Sequence, residues 1–110
     1  MSNLIGRFYF KQTSNGNLIG EYSNNSSTSI ETESAIIHSP TGGFTGTYRS
    51  SWHETDANNP VILEIIFKPG TNNSIYALTW TDRNGTIYWG EGMLCDDMLI
   101  GDYRNFQAIP

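Results

Sequence analysis

Apolar and polar residues alternate along eight short stretches of the chain, and residues typical of turns separate these stretches. Successive side chains of a β-strand point to opposite faces, so this alternation predicts strands with one buried face. The predicted strands are NLIGRFYFKQ (3–12), GNLIGEYSN (16–24), SIETESAIIHS (29–39), GGFTGTYRSSW (42–52), PVILEIIFK (60–68), SIYALTWTD (74–82), GTIYWGEGML (85–94) and MLIGDYRNF (98–106).

The connections between these strands favour antiparallel neighbours. Segments such as TSNGN, PTGG, PGTNN, RNG and CDD have the composition of tight reversals, and only HETDANNP (53–60) is a long polar connection. A parallel crossover needs about a dozen residues or more. We therefore expect an all-β protein of one domain, residues 1–110, in which eight antiparallel strands form an up-and-down barrel. Closure would remove both exposed sheet edges; a two-sheet sandwich is the alternative.

In four of the strands a glycine precedes an aromatic residue by two positions. The pairs are Gly6 with Phe8, Gly20 with Tyr22, Gly46 with Tyr48 and Gly101 with Tyr103. Both members of a pair share one face, and inward glycines leave room for aromatic side chains in a narrow barrel. The predicted inward aromatic residues are Phe8, Tyr22, Tyr48, Trp52, Trp80, Tyr88 and Tyr103. With Ser50, Thr86 and Asn105 beside them, they predict a pocket for a small polar ligand; a lumen filled by its own side chains is the alternative.

The opposite face is more apolar than a fully solvated exterior requires. Its residues are Ile5, Tyr9, Ile19, Ile37, Ile62, Ile66, Ile87, Trp89, Met93, Ile100 and Phe106. A large exposed apolar surface is typical of protein–protein contacts. We therefore expect a homo-oligomer, a dimer or a tetramer, unless the two faces are reversed in some strands, which a one-residue slip of register would cause.

Charge and cysteine content exclude several classes of protein. The net charge is −5 and only six Lys and Arg residues are scattered along the chain, so a nucleic-acid partner is not expected. The single Cys95 forms no internal disulfide. No stretch approaches the length of a membrane helix, and no signal peptide is recognisable, so the default expectation is a soluble protein of the cytoplasm.

Several stretches resemble the avidin and streptavidin family. GGFTGTYRS is similar to the family's third-strand signature, and YALTWTDRNGTIYWGEG is similar to its later hairpin, in which a strand ending in Trp leads into a strand bearing Thr, Trp and Gly. IGEYSNNSST resembles the first strand and loop. NLIGRFYFK, at the start of this chain, resembles the family's last strand, which implies a circular permutation. The resemblance implies a calycin-type barrel that binds a small ligand.

The resemblance also implies a set of ligand-binding residues. The family's contacts would fall on Asn24, Thr28 and Tyr48 (ureido oxygen of biotin), Ser50 (a ureido nitrogen), Trp80 and Tyr103 (walls), and Thr86 and Tyr88 (sulfur end). Tyr22 and Phe8 join this set as inward aromatic residues. Phe8 stands where the family has the aspartate for the second ureido nitrogen, and Tyr88 and Tyr103 stand where it has wall tryptophans. We therefore expect weak biotin binding, or none.

Catalytic and metal-binding patterns are sparse. His38 and His53, with Glu54 and Asp56, are candidates for a metal site. Two histidines next to a polar loop are more often surface residues, so no metal or other cofactor is predicted. A non-catalytic small-molecule binder is therefore favoured. The alternatives are a small isomerase or cyclase, with a carboxylate such as Asp102 or Glu64, and a carbohydrate-binding module. A catalytic barrel should direct an ionisable group inward, and the predicted interior has almost none besides Asp82 and His38 near its ends.

Overall fold

The chain folds as an all-β closed barrel of eight antiparallel strands in the computed structural model, which describes residues 3–106. The strands are β1 (Ile5–Gln12), β2 (Leu18–Asn24), β3 (Glu31–Gly42), β4 (Thr45–Ser51), β5 (Val61–Phe67), β6 (Tyr76–Asp82), β7 (Gly85–Cys95) and β8 (Met98–Asn105). Each strand pairs with its neighbours in sequence, and β1 pairs with β8 to close the sheet. The predicted up-and-down barrel is thus confirmed, and the sandwich is excluded.

Residues 3–106 contain no helix, and so none that is long and apolar enough to cross a membrane. The turns follow the residue types that predicted them. Asn72 and Asn73, before β6, and Asp96 and Asp97, between β7 and β8, all have positive φ. Asn and Asp adopt this conformation more readily than most residues, because their short polar side chains compensate locally for its steric strain.

The two ends of the barrel differ because successive connections alternate between them. One end carries the hairpins that follow β1, β3, β5 and β7, and here the interior is filled by buried side chains: Phe10, Leu18, Phe44, Tyr48, Ile65, Tyr76, Leu78 and Leu99. The other end carries the connections 25–30, 52–60 and 83–84, together with the start of β1 and the end of β8. We call the packed half at the first end the lower half of the interior. The half at the other end, which the longer loops frame, is the upper half.

Three register shifts interrupt the regular pairing of the strands. The pairing of β3 with β4 omits His38 and Thr41, and the pairing of β7 with β6 omits Ile87. An extra residue on one strand reverses the alternation beyond it. Ile87 consequently packs against the core. Ile37 also packs against the core, but it precedes the bulge at His38 and continues the inward face of Glu33 and Ala35, so the predicted outward position of both isoleucines is wrong. His38, predicted to face inward near one end, is exposed.

Most of the other apolar residues of the predicted outer face are indeed exposed. They are Ile5, Ile19, Ile62, Ile66, Trp89, Met93, Ile100 and Phe106. Met93 and Tyr9 both pair with Ile100, so these three side chains form a row across β7, β8 and β1. The homo-oligomer that this surface suggests remains a prediction.

Of the four predicted inward glycines, Gly6 and Gly20 make room for an aromatic ring, whereas Gly46 and Gly101 do not. A Cβ atom added to Gly6 would lie 2.3 Å from the ring of Tyr103 on the neighbouring strand β8. Gly46 has a φ of 145°, which a residue with a side chain rarely adopts, and its missing side chain lets Ser39 O approach. Gly6 therefore shapes the upper half of the interior, whereas Gly46 permits the close approach of β3 to β4.

Candidate functional site

A cavity of about 340 Å³ occupies the upper half of the barrel and opens between the loops. It is lined by Leu4, Phe8, Tyr22, Asn24, Ser26, Ser27, Thr28, Glu31, Glu33, Trp52, His53, Glu54, Trp80, Tyr88 and Tyr103. Protein pockets for small ligands commonly measure about 300–1,000 Å³. The cavity is therefore large enough for one compact organic molecule, and the lumen is only partly filled by its own side chains.

Aromatic rings form a continuous wall around this cavity. Tyr103 lies at its centre, with its ring centroid 6.0 Å from that of Trp80, 5.6 Å from that of Tyr88 and 6.2 Å from that of Tyr22. Trp52 extends the wall toward the mouth, 6.1 Å from Tyr88. Tilted and edge-to-face contacts at these distances are favourable and hold the rings in place. The rings of the wall therefore support one another.

Glu33 reaches this aromatic interior from β3 and is only 7% exposed. Its Oε2 atom accepts two hydrogen bonds, one from the Ser50 hydroxyl on β4 and one from Trp80 Nε1 on β6 at 2.8 Å. Burial raises the pKa of the Glu33 carboxyl to about 7, because desolvation of the anion outweighs these two hydrogen bonds. The carboxyl therefore keeps its proton to a higher pH than an ordinary glutamate does.

Polar atoms remain for a ligand inside the cavity. Both hydrogen bonds of the Glu33 carboxyl go to Oε2, and within residues 3–106 no side chain or backbone group donates to its Oε1. The Tyr103 hydroxyl accepts from Asn24 Nδ2 at 2.9 Å, which leaves its own proton free to be donated. The cavity therefore combines one carboxyl oxygen with phenolic hydroxyls on an apolar wall.

The tyrosine hydroxyls that line the cavity are held in the neutral form. Burial raises the pKa of Tyr88, and the carboxylates of Glu54 and Glu33 raise it further. Burial also raises the pKa of Tyr103, although the hydrogen bond from Asn24 offsets part of that rise. The pKa of Tyr22 is raised for the same reasons, with Glu54, Glu31 and Glu33 contributing. Each hydroxyl thus keeps its proton at physiological pH and can donate a hydrogen bond.

The mouth of the cavity is built by a short turn and a polar loop. Asn24 forms the turn: its side chain accepts from Ser26 N at 2.8 Å, and its backbone N–H donates to Ser27 Oγ at 3.0 Å. At the start of β3, Glu31 Oε2 lies 3.7 Å from His53 Nδ1, an ion pair when the imidazole is protonated. The rim is therefore rich in oxygen atoms.

The structure brings together seven of the ten residues predicted to bind a ligand. Phe8, Tyr22, Asn24, Thr28, Trp80, Tyr88 and Tyr103 all line the cavity. They come from five strands and one loop, and the barrel places them around one space. Their role in binding remains a prediction.

The other three predicted residues lie outside the lining. Tyr48 is fully buried in the lower half, where its hydroxyl donates to Phe44 O at 2.7 Å. Ser50 lies behind Glu33, and its hydroxyl is occupied by that carboxyl. Thr86 pairs with Thr81 beside the bulge of β7 and does not reach the cavity. In this conformation the three support the barrel rather than contact its cavity.

Glu33 is the cavity residue that sequence reasoning missed. The predicted interior held almost no ionisable group, whereas Glu33 is buried within it, and the carboxylates considered earlier, Glu64 and Asp102, are exposed on the outside. On β3 the residues Glu33, Ala35 and Ile37 share one face. The alternation of apolar Ala35 with its polar neighbours was the signal that could have predicted this face as the inward one. It was weak because Ile36, on the other face, is equally apolar.

Within residues 3–106, no three His, Cys, Asp or Glu side chains are grouped so that they could hold a metal ion. His53 is instead near Glu31, and Asp82 accepts from Asn59 Nδ2 at 3.1 Å. Comparison with protein-family models, with curated proteins and with solved structures finds no match to this chain. Inferences about function therefore rest on the cavity itself.

Proposed function

We propose that this protein is a non-catalytic binder of a small organic molecule, which it encloses in the aromatic upper half of the barrel. The observation that carries the proposal is the open cavity of about 340 Å³, whose wall joins aromatic rings with a carboxyl and several hydroxyls. A barrel interior serving only stability would be filled, since empty space in a core is destabilising. Here the lower half is filled and the upper half is not.

The resemblance to avidins is part of this proposal, and the cavity geometry bears on the ligand. Phe8 replaces the aspartate expected for a ureido nitrogen, but Glu33 offers a carboxyl oxygen from β3, a different strand. Ser50, expected to meet the other ureido nitrogen, already donates to Glu33. Because the hydrogen-bonding groups are rearranged, we expect biotin to bind weakly or not at all, and a different ligand to fit.

A binding screen with site variants tests the proposal. Biotin and a panel of small metabolites would be titrated by calorimetry and tryptophan fluorescence, since Trp52 and Trp80 line the cavity. For a ligand found this way, Tyr88→Ala should weaken binding about 10- to 100-fold, as a lost wall contact is worth about 1–3 kcal/mol. Tyr9→Ala, on the outer face, is the matched control and should leave the affinity unchanged. Binding that responds to Tyr9 but not to Tyr88 would contradict the proposal.

Glu33 gives specific support to a second candidate, a small enzyme that uses general acid–base catalysis. A carboxyl with a pKa of about 7 is suited to exchange protons near neutral pH, and it lies in the same cavity as the hydroxyls of Tyr88 and Tyr103. Such a reaction would be a proton transfer or cyclisation within one substrate. Turnover of a bound ligand by the wild type, and its loss in Glu33→Gln with binding retained, would favour this candidate over the binder.

A further inference from the structure

Negative charges predominate among the side chains that line the cavity, and Arg7 acts on Tyr103 from outside the lining. Three carboxyl groups line it, those of Glu31, Glu33 and Glu54, and only His53 can carry a positive charge among the lining side chains of residues 3–106. Neither Lys nor Arg is part of the lining. A ligand that carried its own negative charge would meet repulsion at the mouth and again at the floor.

The aromatic wall favours the same kind of ligand. Trp80, Tyr88 and Tyr103 present their rings to one space, and the faces of such rings attract cations. Glu33 lines the same cavity, and its Oε1 atom receives no hydrogen bond from the described part of the chain. A positively charged N–H group is the donor that would best satisfy this oxygen, since charge-assisted hydrogen bonds are about twice as strong as neutral ones.

We propose that the ligand of this cavity is an organic cation, in which a protonated nitrogen bearing N–H groups contacts Glu33 and a flat or apolar body lies among the aromatic rings. Glu33 is then the residue that determines specificity for charge, and Glu31 and Glu54 attract the cation to the mouth. This inference rests on the proposed binding function and specifies the ligand class.

Three probes of nearly equal size and different charge test the inference. Benzamidine is a cation with N–H donors, benzamide is its neutral counterpart, and benzoate is an anion. Binding is followed by nuclear magnetic resonance of the three tryptophan indole N–H groups in ¹⁵N-labelled protein. The Trp80 indole donates to Glu33 and reports on the site directly, whereas Trp89 lies on the outer face and serves as an internal reference.

We expect benzamidine to shift the Trp80 signal and to bind about 10- to 100-fold more tightly than benzamide, the factor that corresponds to a hydrogen bond with a charged group. Benzoate should bind most weakly. Glu33→Gln should abolish the preference for benzamidine and leave the binding of benzamide within about 3-fold, because the glutamine keeps the shape and an acceptor for Ser50 and Trp80. Glu64→Gln, which removes one exposed carboxyl from the outer face, should retain the preference.

The outcomes separate this inference from the proposed function. Equal binding of benzamidine and benzamide, or tighter binding of benzoate, would overturn the cation inference while the cavity remained a binding site. A preference for benzamidine that persists in Glu33→Gln would overturn the role of Glu33. If none of the three probes shifts the Trp80 or Trp52 signals at millimolar concentration, the cation inference fails, and the proposed binding function fails as well if the metabolite panel gives no binding.

Discussion

Replacement of Glu33 by glutamine should stabilise the folded protein, and increasingly so as the pH rises. In the folded state the pKa of this carboxyl is about 7, against an ordinary value of 4.5. Folding therefore favours the protonated form. The contribution of Glu33 to the free energy of unfolding is most favourable below about pH 4.5. It falls progressively between pH 4.5 and 7 and does not change further above pH 7. Glutamine stays neutral throughout this range.

The magnitude follows from the same pKa values. One pKa unit corresponds to about 1.4 kcal/mol. The rise from 4.5 to about 7 therefore means that ionised Glu33 destabilises the folded protein by about 3 kcal/mol above pH 7. At pH 5 this destabilisation is only about 1 kcal/mol. Glu33→Gln should therefore raise the free energy of unfolding by about 1 kcal/mol at pH 5 and about 3 kcal/mol at pH 8. Stabilisation by mutation of a site residue is the expected sign of a group kept for function.

Urea unfolding followed by tryptophan fluorescence measures this effect at pH 5 and pH 8. The difference between wild type and Glu33→Gln isolates the one carboxyl, because other titrating groups are common to both proteins. Glu64→Gln, an exposed position, is the control and should show no such pH dependence. A Glu33→Gln variant that is equally or less stable than the wild type at pH 8 would refute the reasoning that desolvation of the charge dominates at this site.

Three further predictions concern the barrel outside the cavity. Trp89→Glu, which places a charge on the exposed apolar face, should shift the protein toward monomer in sedimentation; a monomeric wild type at tens of micromolar would contradict the oligomer. Tyr48→Phe should lower the free energy of unfolding in urea by about 1–3 kcal/mol, because Phe44 O loses its hydrogen bond, and should leave ligand affinity unchanged. A loss of affinity would show that Tyr48 contributes to ligand binding. Gly20→Ala should lower the free energy of unfolding by at least about 3 kcal/mol in thermal unfolding, because the added Cβ would lie 2.0 Å from Tyr9 O. A variant as stable as the wild type would contradict the close approach of β1 to β2.

The strands and turns could be predicted because the signals for them are local. Alternation along each segment reflects one buried face, and Asn, Asp and Gly mark the reversals whose backbone they tolerate best. All eight strands fall within or near the predicted segments, and short connections leave antiparallel pairing as the simple solution. Gly6 and Phe8 likewise appear on the predicted inner face of β1.

The bulges could not be predicted in the same way. His38 and Ile87 are extra residues that their partner strands do not match, and nothing in the adjacent sequence marks them. A bulge is set by how two strands twist against each other, which is a property of the pair and not of either segment. For this reason the face of Ile87 was reversed in the prediction. Ile37 lies before the bulge at His38, in regular alternation with Glu33 and Ala35, and its predicted face was wrong by one residue of register.

The sequence by itself thus determined an eight-stranded barrel with an aromatic interior, because periodicity and turn chemistry act over a few residues. Only the tertiary structure decided that the lower half is packed around Tyr48 while the upper half stays open. It also decided that Glu33 is buried. The inward position of Glu33 depends on the register of β3 after the connection 25–30. It depends as well on hydrogen bonds from Ser50 and Trp80, which are 17 and 47 residues away in sequence. Contacts over such separations are selected by the closed fold as a whole.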